Sequence, residues 1–181
     1  MPENIQEKIE DRLIDYININ ARGRLIIFKS EKKLKGVNLV VKKKGEYESK
    51  RAVPLEKNPI VKSQVFGARR NKSAKTVWLH VLGQNKASRD TLFKKDIDIT
   101  EFADRTEICF LFIFFNVLKQ DIDDYVCFIS LEQFEKLAPL TKKNIYHFES
   151  FLSPERKDKY SDFLVNKKDL AKIFLSIILP E

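Results

Sequence analysis

The chain has 181 residues, 43% of them hydrophobic and 11% aromatic, with a formal net charge of +8. That is enough chain and apolar content for one packed domain, residues 1–181, without staples; two cysteines cannot build a disulfide framework, and the separation of Cys109 and Cys127 fits no finger-type zinc spacing, a site that would need every Cys and His in the chain. The longest unbroken apolar run, residues 108–115, has eight residues, far short of the roughly twenty needed by a membrane helix.

Residues 3–18 read as a helix. Ile5, Ile9, Leu13, Tyr16 and Ile17 recur at 3.6-residue spacing on one face, with charges opposite. Glu10 falls inside that apolar arc, as a solvated boundary residue or an inward-aimed acid. The charged start of the chain is no secretory signal, and with two free thiols it points to a cytoplasmic protein. Strands are expected at 24–29 (RLIIFK), 36–43 (GVNLVVKK), 59–66 (PIVKSQVF) and 76–82 (TVWLHVL). In the second, Val37, Leu39 and Val41 share one face. Residues 67–75 and 83–89 read as polar loops. Residues 91–99 form another strand candidate, with Thr100 capping a short helical turn to Phe102.

Residues 107–118 (EICFLFIFFNVL) are apolar on both faces. The pattern predicts a central strand covered on both sides, paired antiparallel with 125–129 (YVCFI). Ser130 with Gln133 makes a capping box. Residues 144–151 form a later strand. Leu170, Ile173, Phe174, Ile177 and Ile178 then mark a final helix, with Asn166 as cap and Pro180 as stop. The expected fold is a single α/β (α+β) domain with a mixed sheet covered by helices on both faces.

The charge is segregated. Residues 21–95 carry a net +16, and the two flanks together carry −8. One cationic face for a polyanion follows most simply, with nucleic acid the expected partner. A solvated lysine-rich surface is the plainer alternative. The five glycines form neither GxGxxG nor GxxxxGK[ST], and no GxSxG elbow exists. Cys109 and Cys127 lie in apolar strands, where thiols are inert packing groups.

One constellation is left: Glu10 on a helix, Asn38 in the second strand, and Ile60-Val61-Lys62-Ser63 in the third. In this order the sequence resembles the PD-(D/E)XK superfamily, the restriction-endonuclease-like nucleases. There a helix Glu precedes an Asp on the second core strand, and an acidic residue or Gln follows on the third strand, two before a Lys. The resemblance places Asn38 at the Asp position, Ile60 at the Glu or Gln position, and Lys62 on the Lys. It implies a restriction-endonuclease-like fold and a degenerate catalytic site of Lys62, Asn38, Ile60 and Glu10. Mg²⁺ takes oxygen ligands and prefers carboxylates, so losing both strand acids implies no cofactor. Mg²⁺ would serve only an active site, with Glu10 and Asn38 as its candidate ligands. Lys62, Gln64, Arg69, Arg70, Lys72 and Lys75 are the expected nucleic-acid contacts, with DNA preferred over RNA. Two alternatives stand beside this reading. One is an active, divergent nuclease that uses a migrated carboxylate. The other is a non-enzymatic module whose basic face meets an acidic protein.

Overall fold

A computed structural model describes residues 4–30, 36–44, 76–102 and 107–179. The expected strand at 59–66 lies outside the described residues. The first element is helix α1 (Ile5–Asn20), which buries Ile9, Leu13 and Ile17 as its periodicity demands. It ends where Arg22 and Gly23 both take positive φ, 50° and 72°. Glycine tolerates that backbone and arginine does so at a cost. Strands β1 (Leu25–Lys29) and β2 (Leu39–Lys43) form an antiparallel pair, with Leu25 opposite Lys43.

Strand β3 (Val77–Lys86) follows, then β4 (Phe93–Asp98) with a 3₁₀ turn at Ile99–Phe102, then β5 (Ile108–Asn116) and β6 (Asp121–Ser130). Helix α2 (Leu131–Leu137) leads into β7 (Leu140–Lys142) and β8 (Ile145–Ser150). The chain closes with β9 (Leu164–Asn166) and helix α3 (Leu170–Ile178). A six-stranded mixed sheet has the order β1-β2-β3-β5-β6-β9, and a three-stranded sheet has the order β4-β8-β7. Among the described residues, only β3 and β5 run parallel within the larger sheet.

The central strand is where its composition puts it. β5 is buried on both faces and pairs antiparallel with β6, with Phe112 opposite Cys127. On one face Leu111 and Ile113 pack in an aliphatic cluster with Ile9, Leu13 and Ile17 of α1 and Phe174 and Ile178 of α3. On the other, Phe110, Phe112 and Phe114 pack with Phe93 of β4, Phe148 of β8 and Phe134 of α2. That second cover is therefore mostly the small sheet, with one short helix. Its rings meet edge to face or tilted, and Phe112 and Phe148 stack 3.6 Å apart.

Two local expectations shift. The second strand begins at Leu39 rather than residue 36. Gly36 turns there at φ 74°, and a β-carbon on it would stand 2.3 Å from the Phe102 ring. Val37, still outside the ladder, consequently packs in the aromatic cluster, opposite to Leu39 and Val41. β3, expected to stop at residue 82, runs to Lys86, because β5 pairs with it as far as Asn116. Half of the expected Ser130 capping box forms: Gln133 N donates to Ser130 Oγ at 3.3 Å, while Gln133 Oε1 accepts from the Ser130 hydroxyl at 3.1 Å instead of reaching back to the backbone N–H. Asn166 caps the 3₁₀ turn Lys167–Asp169 that opens into α3.

Candidate functional site

Asn38 bonds one stretch of β3 directly through its side chain, and Glu10 is linked to the same stretch through Gln6. Beyond Leu79 the β2 ladder has ended, and two side-chain amides take its place. Asn38 Oδ1 accepts from Val81 N at 2.8 Å. Gln6 Nε2 donates to Val81 O at 2.8 Å, and Gln6 Oε1 accepts from Gly83 N at 3.1 Å. Gln6 Nε2 also donates to Glu10 Oε1 at 2.9 Å. An unpaired strand edge in a half-buried position is costly, and these amides remove that cost. Gly83 lets α1 come close, since a β-carbon there would stand 2.3 Å from Ile9 Cδ1.

The donor set for a divalent cation is correspondingly poor. Asn38 brings a neutral oxygen already shared with Val81 N, and Glu10 brings one carboxylate already hydrogen-bonded. No group of three His, Cys, Asp or Glu side chains among the described residues is placed to hold a metal ion. These residues do not fit Mg²⁺, which needs several oxygen ligands. Ile60, Lys62, Gln64, Arg69, Arg70, Lys72 and Lys75 lie outside the described residues.

The third described strand ends Gln84-Asn85-Lys86, a Gln two residues before a Lys. Local pattern assigned this stretch to a loop and so missed it. Gln84 braces the start of β4, donating to Leu92 O at 3.0 Å and accepting from Lys94 N at 3.1 Å. Lys86 is largely buried over the Phe114 ring and ion-paired with Asp123.

On the same strand, His80 Nδ1 donates to Gly36 O at 2.6 Å. Burial, opposed by that hydrogen bond, holds its pKa below the ordinary value, so the ring is neutral at neutral pH. It lines a cavity of about 250 Å³ with Lys95, Glu101 and Phe102. Burial pushes the Cys109 thiol up to about 11 and that of Cys127 higher still, so both are packing groups rather than nucleophiles.

Four cations without ion-pair partners among the described residues stand together elsewhere. Arg22, Arg24, Lys43 and Lys44 are exposed at the corner where α1 enters β1 and β2 ends. Leu25 is opposite Lys43, and Lys44 N donates to Arg24 O at 3.0 Å, which holds the two basic runs together. None of the four has an ion-pair partner among the described residues. Residues 45–75, with eight bases against three acids, leave from Lys44. They return at Thr76, next to Val77, which pairs with Val41 at the same corner. The sequence carried half of the signal, the basic runs Arg22-Gly23-Arg24 and Lys42-Lys43-Lys44; the pairing of β1 with β2 brings them to one end of a hairpin.

Comparison with protein-family models, with curated proteins and with solved structures finds no match. No helix among the described residues is long and apolar enough to cross a membrane.

Proposed function

We propose that this chain binds nucleic acid through the β1–β2 corner and the basic segment 45–75 anchored there, on a nuclease-like scaffold whose metal-dependent cleavage site has degenerated. The observation that carries the reading is the meeting of Arg22, Arg24, Lys43 and Lys44 with both ends of a segment of net charge +5. Cations crowded without counter-charges repel one another. A polyanion turns that repulsion into binding and gains the entropy of released counterions. Duplex DNA is the first ligand this reading names. The nuclease-like part is supported by the chain order helix, strand, strand, strand. It is also supported by Asn38 bonding the third described strand, by Glu10 being linked to that strand through Gln6, and by the Gln84 to Lys86 spacing. Degeneracy is supported by the structural employment of each of those side chains.

The test is equilibrium binding of a short labelled DNA duplex, its single strand and an RNA of the same sequence across a salt series. Affinity should fall linearly on a double-logarithmic plot, and Arg69→Glu with Arg70→Glu should weaken binding to all sequences alike. No binding at low salt, or binding insensitive to salt, contradicts the proposal. Mg²⁺-dependent cleavage by the unmodified protein that is lost in Lys62→Ala would replace degeneracy with an active, divergent site.

A further inference from the structure

At the end of the molecule reached by the C-terminal half of α1, three large apolar side chains stand in water. Leu118 is 94% exposed, Ile19 74% and Val117 45%. Monomeric surfaces seldom keep apolar groups together without a use for them. Leu118 and Val117 sit on the β5–β6 turn, which is braced. Lys119 N donates to Asn116 Oδ1 at 3.0 Å, and Gln120 Nε2 donates to Val117 O at 2.7 Å. Gln120 itself holds a positive φ of 51°. The turn thus presents Leu118 as a fixed knob. Beside it lies a cleft of about 470 Å³ lined by Tyr16, Ile19, Lys119 and Gln120. Arg12 and Asp15 line the same cleft, and neither has an ion-pair partner among the described residues.

We infer that this face is a two-fold interface between copies of this chain, with Leu118 of each copy seated in the cleft of the other. A two-fold contact uses the same patch twice, so the patch must carry both knob and hole and both signs of charge. This one does: Leu118 stands beside the cleft, and Arg12 and Lys119 stand beside Asp15. A polyanion or an anionic membrane would instead meet the carboxylates of Asp15 and Asp121. Across the two-fold, Arg12 of one copy faces Asp15 of the other. The inference does not depend on nucleic-acid binding.

The experiment is sedimentation equilibrium of the full chain, freed of nucleic acid as judged by its ultraviolet absorbance ratio. The expected mass is twice that of one chain. Leu118→Glu should give the single-chain mass with its unfolding midpoint in dilute solution unchanged, because that side chain contributes nothing to the monomer's core. Arg12→Asp and Asp15→Arg should each weaken the dimer at least tenfold, and the double variant should recover it. A wild type that stays at single-chain mass up to high concentration overturns the inference. So does a dimer that survives Leu118→Glu. Leu118-dependent binding of a monomeric wild type to phosphatidylserine vesicles would overturn it in favour of a lipid surface.

Discussion

Around β5, β6 and the small sheet, the largely buried Lys86 is paired with Asp123 and Lys167 with Asp121 and Asp124, and the exposed Lys94 and Lys136 pair with Glu149 and Glu132. At the β1–β2 corner, Arg22, Arg24, Lys43 and Lys44 have no such partners among the described residues, and Arg22 also carries a left-handed backbone. The difference separates structure from function. A cation near the core must be neutralised, because its desolvation is otherwise too costly. A solvated cation needs no partner, and a cluster of them is mildly destabilising. Lys167 shows the first case. Burial, the largest single influence, pulls its pKa down. The hydrogen bonds and charges of Asp121 and Asp124 outweigh that and leave the net shift upward. The corner shows the second case, and its crowded charges are the ones that the proposed function assigns to a polyanion.

The comparison breaks first if the aromatic half does not carry the stability. Phe112→Ala should destabilise by about 3–5 kcal/mol in denaturant unfolding, because the ring is fully buried and stacked on Phe148. Its folded fraction should bind nucleic acid as the wild type does. A loss below about 1 kcal/mol would mean that the stability resides elsewhere.

A smaller effect separates the two uses of lysine. Lys167→Ala should cost about 1.5–3 kcal/mol, the range for a hydrogen bond to a charged group. It should not cost more, since Asp121 and Asp124 are exposed enough to rehydrate. Lys43→Ala with Lys44→Ala should shift stability by no more than about 0.5 kcal/mol, yet weaken binding. Equal stability losses in the two variants would erase the distinction.

The smallest effect concerns pH. His147 Nδ1 donates to Asp96 at 2.6 Å and Nε2 to Glu149 at 3.4 Å, a pattern that needs the imidazolium. The Asp96 hydrogen bond leads the influences that raise its pKa in the folded chain. Its stabilisation is therefore full below the unfolded value near 6.5 and is lost as pH rises through the higher folded value. His147→Gln should remove this pH dependence, a change under about 1 kcal/mol for so exposed a pair. Stability of the wild type that instead rises across the same window, relative to the variant, would reverse the sign.

Elements whose cause is local were legible in the sequence. The stripe of α1, the two-sided apolar run of β5, the Ser130 N-cap and the terminal helix each follow from neighbours within one turn or one ladder. What was not legible depends on distant partners. Gln84, Asn85 and Lys86 look like a loop, because nothing nearby shows that β5 will pair with them or that Asp123 will neutralise Lys86. Asn38 carries no local sign that its amide will stand in for a missing strand. For the candidate site, the basic character of 21–95 was visible. The corner that concentrates it required knowing that Leu25 pairs with Lys43.

The central claim is that position, and not net charge alone, makes the corner a nucleic-acid surface. It is tested most directly by comparing two double reversals that change the charge equally: Lys43→Glu with Lys44→Glu, and Lys94→Glu with Lys136→Glu. Affinity for one labelled DNA duplex would be measured at one fixed, moderate salt concentration. The corner pair should lose roughly tenfold or more and flatten the salt dependence, because phosphate contacts are removed. The paired lysines should change affinity by no more than about threefold, as expected from a uniform loss of positive field screened over a Debye length. Equal losses from both pairs, or no loss from the corner pair, would contradict the account.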